Sequence, residues 1–267
     1  MSTTSSLPMR DQAADGGRVP AGRDRFAAFG GLAALIAAAM YFFAGIVTGL
    51  NASANPVPGD VAGWLALFQA NGLAGLIYLG LADIVIALVS IPLFLALYDA
   101  LKPTDLAWSR LAVAVAFVGI ACYLATNTAF SMLAISHRYA AASTVAQQTP
   151  ILAAGQAVLV QVDGTGGRYL GLPLLWAGGW IASVVMLRSG TFHRVTAYAG
   201  ILAFPLLLAG MPFASYTTTE ALPAVEAVIV GVSYIGGGLL SLAWYVLVGR
   251  RLILLSRAQT KPLPGQA

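Results

Sequence analysis

The stretch that decides the fold is GLAGLIYLGLADIVIALVSIPLFLALY, which covers residues 72–98. Asp83 is the only charged side chain among these 27 residues. About 20 apolar residues are enough to cross a bilayer as a helix, so the stretch predicts a membrane-spanning segment. A carboxylate inside such a segment is costly unless it has a partner or a wet cavity. The rest of the chain is therefore expected to supply one.

The composition of the whole chain is typical of a membrane protein. Of its 267 residues, 59% are hydrophobic and 9% are charged, whereas a soluble domain has about 25% charged residues. Most of the outer surface must therefore face lipid. The net charge of +4 does not indicate nucleic-acid binding, because no basic and aromatic residues cluster on one face. The single cysteine, Cys122, excludes an internal disulfide.

The pattern predicts one all-α integral membrane domain over residues 26–249, with six transmembrane helices. The predicted spans cover about residues 26–50, 72–98, 110–136, 168–187, 195–213 and 222–248. Residues 1–25 are polar and lack apolar periodicity, which predicts a disordered cytoplasmic tail. Residues 250–267 are predicted to form a basic cytoplasmic tail.

Two short amphipathic helices are predicted on the outer side. Asp60 is a suitable N-cap for the first. Its apolar residues have the i, i+3, i+4, i+7 spacing of a helix face: Val61, Trp64, Leu65 and Phe68. That face suits either the membrane surface or a cap over the bundle. Thr149 and Pro150 predict the start of the second short helix, which would reach Val162.

The positive residues predict that both termini lie in the cytoplasm. Six spans put the termini on one side, and twelve of the 14 Lys and Arg residues fall on that side. Only Arg138 and Arg168 fall on the other side, so the positive-inside rule assigns the orientation. Arginine outnumbers lysine twelve to two, which is a weak sign of a GC-rich bacterial genome. We expect a protein of a bacterial cytoplasmic (inner) membrane.

Small residues on the spans predict close contacts between helices. Ser233, Gly237 and Ser241 form one i, i+4 row on the sixth span, and such rows let membrane helices approach closely. These faces either pack against other helices of the chain or form the surface of a homo-oligomer. The sequence leaves both interpretations open.

Five polar residues are candidates for a polar cavity that opens outward: Asp83, Tyr123, Asn127, Arg168 and Glu226. A rise of about 1.5 Å per residue puts Asp83 roughly 17 Å from the predicted outer end of its helix, and Asn127 at a similar depth. Arg168 and Glu226 lie near the outer boundary. We therefore expect Asp83 to contact Tyr123 and Asn127, and Glu226 to pair with Arg168. A pair between Asp83 and Arg168 would need a deep bend in the fourth span.

No residue pattern predicts catalysis, a metal or a cofactor. His137 and His193 fall on opposite sides of the membrane in the predicted topology, so they share no metal site. The glycine-rich residues 164–168 lack the Lys-Ser/Thr of a P-loop. We expect no catalytic residue and no cofactor.

Two stretches carry a resemblance to a known family. Leu81-Ala82-Asp83 is followed by Leu97-Tyr98 and Lys102-Pro103, and residues 188–194 (RSGTFHR) are followed by Gly200-Ile201-Leu202. The first set resembles an acid-bearing helix that ends in Leu-Tyr and a basic-Pro loop, and the second a short cytoplasmic turn between late helices. Both are features of the bacterial multi-pass family called domain of unknown function 4386. The resemblance covers about residues 26–213. It implies six helices and no established activity.

Three functions fit these observations. The first is a non-enzymatic small-molecule or proton-coupled carrier or sensor that uses a cavity around Asp83. The second is a scaffold or regulatory membrane partner that uses the Gly and Ser faces. The third is a membrane-embedded lipid-modifying enzyme. A ligand that stabilises the protein would favour the carrier or sensor, and a co-purifying protein would favour the scaffold. An altered lipid profile on deletion would favour the enzyme. Hydrogen bonds that only fix helix register would also explain Tyr123 and Asn127, but they explain Asp83 less well.

Overall fold

The structure is a computed structural model that describes residues 21–54, 58–161, 168–216, 228–229 and 231–259. The described part is helical and contains no strand. Six of its helical segments are long and apolar enough to cross a membrane, which confirms the predicted number of spans. Residues 1–20, Glu226 and residues 260–267 lie outside the described residues.

The helices follow one another with short connections. Within the described ranges they are α1 (Ala21–Ala54), α2 (Val61–Ala70), α3 (Gly72–Tyr78), α4 (Leu81–Leu101), α5 (Leu106–Thr126), α6 (Ala129–Ala141), α7 (Val145–Val160), α8 (Arg168–Ser189), α9 (Arg194–Tyr216) and α10 (Gly237–Gln259). A π-helical segment, Val232–Gly236, leads directly into α10.

The helical domain is longer at both ends than the predicted range of residues 26–249. Helix continues into both of the segments that were predicted to be tails. The first helix begins at Ala21, and α10 runs on to Gln259. The extension of α10 is amphipathic: Leu252 and Ser256 are buried, while Arg250 is exposed. Packing of this face against α1 explains why the basic segment stays helical.

The second predicted span is not one helix, so the prediction of a continuous helix over residues 72–98 is wrong. Helix α3 ends at Tyr78, Gly80 has a left-handed backbone with φ of 98°, and α4 begins at Leu81. The sequence could not show this break, because an apolar stretch has the same hydropathy whether or not one glycine inside it leaves the helix. The 21 residues of α4 extend over about 31 Å and can cross the bilayer without α3.

The third predicted span is also divided. Helix α5 begins at Leu106, because the Asp105 carboxylate accepts a hydrogen bond of 3.1 Å from the Trp108 backbone N–H. It ends before Asn127, whose extended backbone separates it from α6. The prediction of one helix over residues 110–136 is therefore wrong, although this part of the chain is long and apolar enough to cross a membrane, as predicted.

The six spanning helices form a closed ring in the order α1, α4, α5, α8, α9 and α10, and α4 also touches α8. Consecutive members run antiparallel, as shown by Gly30 against Ala96, Gly119 against Leu175, and Gly200 against Trp244. The ring encloses a large core that includes Trp244 and Tyr245, both almost fully buried.

The predicted small-residue row on the sixth span packs inside the chain. Ser233, Gly237 and Ser241 are buried, and Gly237 lies against Leu207 of α9. The row was predicted either to pack against another helix of the chain or to form the surface of a homo-oligomer. The structure shows packing against another helix of the chain.

Four shorter helices, α2, α3, α6 and α7, pack together into what we call the cap. Their common core contains Val61, Trp64, Leu65, Phe68, Leu79, Ala129, Met132 and Leu159. The apolar face predicted for the first short helix is thus buried within the cap. Asp60 is its N-cap as predicted, since its carboxylate accepts a 2.8 Å hydrogen bond from the Gly63 backbone N–H. The cap lies at the end of the ring where α4 begins and α5 ends.

The second short helix starts earlier than predicted. Its N-cap is Thr144, whose hydroxyl accepts a hydrogen bond from Gln147 N, and Pro150 lies inside the helix. The Thr149 hydroxyl instead donates to the Val145 carbonyl at 2.9 Å. Pro150 is the sixth residue of this helix, so its missing N–H removes the hydrogen bond to the Ala146 carbonyl. A start at Thr149 and Pro150 is therefore wrong.

Candidate functional site

The candidate site lies where the cap meets the ring. The break at Gly80 on one span and the break at Asn127 on the next lie side by side, because the Asn127 amide donates to the Leu79 carbonyl at 3.4 Å. Three side chains meet between the breaks, and we call Asp83, Tyr123 and Asn127 the junction cluster. At both breaks, backbone carbonyls lack the partner that a continuous helix would supply.

Tyr123 is the centre of the junction cluster. Its hydroxyl lies 3.3 Å from the Gly80 carbonyl oxygen and 3.4 Å from Oδ2 of Asp83, and can donate to either. Asn127 Nδ2 donates to the same hydroxyl at 3.1 Å. The predicted contact of Asp83 with Tyr123 is therefore present. Asn127, which was predicted to contact Asp83, donates to the Tyr123 hydroxyl.

Asn127 connects the two broken helices. Its Oδ1 accepts a hydrogen bond of 3.0 Å from the Ala129 backbone N–H at the start of α6, while Nδ2 reaches the Leu79 carbonyl and the Tyr123 hydroxyl. One amide side chain thus satisfies groups on α5, on α6 and in the break between α3 and α4. This uses both the acceptor and the donors that an Asn side chain offers.

Gly80 is required by this geometry. Its φ of 98° favours glycine. A Cβ at this position would collide with the Tyr123 hydroxyl and lie 3.3 Å from Asn127 Nδ2 and 3.4 Å from Asp83 Oδ2. All three polar side chains therefore converge on the face of the chain that the missing Cβ leaves open.

Asp83 is much closer to the end of its helix than predicted. It lies in the first turn of α4, so the predicted depth of roughly 17 Å, obtained by counting about 1.5 Å per residue through a continuous helix, is wrong. At this position the positive end of the helix dipole favours a carboxylate. The fold therefore reduces the cost that a carboxylate in mid-membrane would have.

Arg168 begins α8, at the same end of the ring as the junction cluster. One turn further on, Gly171 packs directly on Tyr123, with its missing Cβ position 2.7 Å from the Tyr123 backbone nitrogen. The sequence predicted Asp83 deep in the membrane and Arg168 near its boundary. In the structure, the backbones of both residues lie at the same end of the ring. Glu226 lies outside the described residues, so its pairing with Arg168 stays a prediction.

A second group of polar side chains lies further inside the ring. Tyr41, Ser90, Trp176 and Tyr245 come from four different helices and lie next to one another, and we call them the inner aromatic cluster. The rings of Tyr41 and Tyr245 have centroids 5.3 Å apart. Trp176 is 5% exposed, and its indole N–H has no hydrogen-bond partner of good geometry among the described residues.

The inner aromatic cluster was not predicted from the sequence. None of its side chains is charged, and Tyr and Trp on a spanning helix are equally typical of a lipid-facing surface. The hydroxyl of Tyr41 is within electrostatic reach of Asp83. The two clusters are therefore close enough to influence each other.

The histidines lie apart. His137 is an exposed residue of α6, while His193 precedes α9 and its Nδ1 accepts a 3.2 Å hydrogen bond from the Val195 backbone N–H. Within the described ranges no three His, Cys, Asp or Glu side chains are grouped as they would be around a metal ion. What the junction cluster offers chemically is exchange of hydrogen bonds or of a proton.

Comparison of the chain with protein-family models, with curated proteins and with solved structures finds no match. The resemblance to domain of unknown function 4386 stays a prediction. The structure supports a helical membrane protein with six spans.

Proposed function

We propose that the protein is a small-molecule or proton-coupled carrier or sensor whose ligand is taken up at the junction cluster. The observation that carries this proposal is the convergence of Asp83, Tyr123 and Asn127 on two adjacent helix breaks. Backbone that leaves the helix is tolerated where it is buried in protein or lines a cavity, and transporters use such helix ends to build ligand sites.

The lengths of the hydrogen bonds support exchange with a ligand. Tyr123 to Gly80, Tyr123 to Asp83, and Asn127 to Leu79 measure 3.3 Å, 3.4 Å and 3.4 Å. Bonds of this length are weaker than those near 2.9 Å. A ligand that offers shorter bonds to the same groups would therefore compete with these bonds.

The inner aromatic cluster supports a path into the ring. Asp83 and Ser90 are seven residues apart on α4, which is about 10 Å along the helix. Hydroxyl groups over this distance can pass a proton inward from the cap.

The proposed orientation is cap outward, with both termini in the cytoplasm of a bacterial inner membrane. Among the residues with described side chains, the end of the ring away from the cap has eight basic and two acidic residues, while the cap end has one basic and two acidic residues. The positive-inside rule favours this orientation.

Asp83→Asn tests the proposal. Purified wild type and variant are screened in mild detergent against a panel of small polar ligands and amines, with thermal stability as the readout, and for proton flux in proteoliposomes. We expect at least one ligand, or a proton gradient, to act on the wild type and at least tenfold more weakly on Asp83→Asn. The variant itself should lose little stability, because interhelical hydrogen bonds in membranes average about 0.6 kcal/mol.

Asp99→Asn is the matched control. It makes the same change on the same helix at the other end, where Asp99 pairs with Lys102, and it should leave the ligand response intact. An equal response of the wild type and Asp83→Asn would contradict the proposal, as would a folded wild type that responds to neither ligand nor proton gradient.

A scaffold or regulatory membrane partner is the second candidate. Apart from their own helix, no atom of the described residues lies within 4 Å of the position that a Cβ would occupy on Gly231, Gly236 or Gly238. Parts of this surface of the sixth span are therefore open to a second copy or another helix. A stable co-purifying chain would favour this function, and a clean monomer would argue against it. The lipid-modifying enzyme stays a prediction, and its test is an altered lipid profile on deletion.

A further inference from the structure

The end of the ring away from the cap is strongly basic. Where side chains are described, its charged residues are Arg25, Lys102, Arg110, Arg188, Arg194, Arg250, Arg251 and Arg257 against Asp99 and Asp105. Lys102 lies 2.5 Å from Asp99, and Arg188 lies 4.0 Å from Asp105. Both carboxylates of this end are thus already close to a basic partner.

Arg194 and Arg250 stand at the same level on neighbouring helices. The antiparallel register of α9 and α10 is set by Gly200 against Trp244 and Gly210 against Ser233. Continuing this register by six residues puts Arg194 level with Arg250. Both side chains are exposed, and neither forms an ion pair with a described residue.

The turn between α8 and α9 is held against α10. Arg251 Nε donates a 2.5 Å hydrogen bond to the Thr191 carbonyl oxygen. Arg251 is the inward-pointing residue of the pair 250–251, and it makes this bond. Arg250 remains exposed. The turn that leads into α9 is therefore held next to α10 by a contact within the chain.

An apolar strip continues from Arg194 toward the middle of the membrane. Val195, Tyr198 and Leu202 have the i, i+3, i+7 spacing of one helix face, and all three are more than half exposed. A basic group at the head of an exposed apolar strip matches a molecule with an anionic head and a hydrocarbon chain. Exposed Trp108 lies at the same end, where aromatic residues are typical of the headgroup level.

We propose that this surface binds an anionic phospholipid, whose phosphate is held by Arg194 and Arg250 and whose acyl chain lies along Val195, Tyr198 and Leu202. Guanidinium groups match the oxygens of a phosphate in a two-pronged geometry. Basic residues next to membrane spans attract anionic lipids of the cytoplasmic leaflet. This inference does not depend on the function proposed above, because it concerns the opposite end of the ring.

The test compares lipids of different charge. Delipidated protein in mild detergent receives phosphatidylglycerol or phosphatidylcholine at equal amounts, and its melting temperature and the lipid it retains in native mass spectrometry are measured. We expect phosphatidylglycerol to raise the melting temperature by several degrees more than phosphatidylcholine. The double variant R194Q/R250Q should lose more than half of this difference and at least half of the retained phosphatidylglycerol.

Arg138→Gln is the matched control, because Arg138 is exposed on α6 at the cap end and its removal should leave the lipid preference intact. A second variant, R194K/R250K, keeps both charges without the guanidinium fork. It should fold like the wild type and retain less phosphatidylglycerol than the wild type but more than R194Q/R250Q. Equal stabilisation by the two lipids would overturn the proposal. So would an equal effect of sodium phosphate, which would indicate a site for a free anion, or an R194Q/R250Q protein with unchanged lipid preference.

Discussion

Gly80 controls the position of every side chain in the junction cluster. Its left-handed backbone turns the chain between α3 and α4 and puts Asp83 in a first turn, beside the Tyr123 hydroxyl. Because no Cβ is present, that hydroxyl can also approach the Gly80 carbonyl. The position of the acid thus depends on one residue that has no side chain.

Gly80→Ala should destabilise the protein by about 2–4 kcal/mol, since alanine meets both the left-handed backbone and a collision with Tyr123. Gly190→Ala separates the two effects, because Gly190 also has a positive φ, of 60°, but open space around it. It should cost only about 1–2 kcal/mol. Unfolding in detergent, followed by circular dichroism, measures both.

Tyr123→Phe provides the second half of this test. Without the hydroxyl, part of the collision with an alanine at position 80 disappears, so Gly80→Ala should cost less in the Tyr123→Phe background than in the wild type. Equal costs in both backgrounds would show that the hydroxyl does not occupy the space next to Gly80.

At the scale of helices, α5 and α8 form the closest pair in the ring. Gly119 approaches the backbone of α8, with Leu175 N at 2.5 Å and the Gly171 carbonyl oxygen at 2.6 Å from the position of an added Cβ. Small residues at such crossings let membrane helices gain van der Waals contact. The same pair places Tyr123 against Gly171, so the packing of α5 on α8 also holds the junction cluster in place.

Gly119→Ala should therefore push the two helices apart and cost about 1–3 kcal/mol, as overpacking does in a close-packed interior. Gly45→Ala is the control, because Gly45 lies on spanning helix α1 with open space around it and should be nearly neutral. The comparison uses the midpoint of unfolding in detergent. A neutral Gly119→Ala would mean that the helices lie further apart than the structure shows.

At the scale of the whole molecule, the chain has two cores. The ring holds one, and the cap, inserted between the first and second spans and between the third and fourth, holds the other. The two units meet at the junction cluster, where α3 leads into α4 and α5 leads into α6. A movement of the cap would therefore act first on the hydrogen bonds around Tyr123.

The orientation of the molecule is tested by cysteine labelling in intact cells. With Cys122, the only cysteine, replaced by serine, Ser143→Cys in the cap should react with a membrane-impermeant maleimide. Thr104→Cys, in the turn between α4 and α5, should react only after the membrane is opened. Both positions are exposed, so accessibility of the side chain does not bias the comparison. The reverse pattern would contradict a cytoplasmic location of the termini.

The sequence by itself determined that this is a helical membrane protein with six spans. Hydropathy over about 20 residues is a local property, since each helix satisfies its own backbone in lipid. The N-cap at Asp60 was predicted for the same reason: a cap depends on residues within one turn. The contact of Asp83 with Tyr123 was predicted by comparing depths along the helices, and it is present although the depth assigned to Asp83 was wrong.

Only the tertiary structure decided where the helices break and what the breaks enclose. Gly80 leaves the helix in a setting built by Tyr123 and Asn127, which lie more than 40 residues away along the chain. The inner aromatic cluster and the cap core likewise join side chains from several helices. The energies that select these arrangements come from contacts between distant segments. An apolar pattern cannot show them, because a residue that faces lipid and a residue that faces another helix are equally apolar.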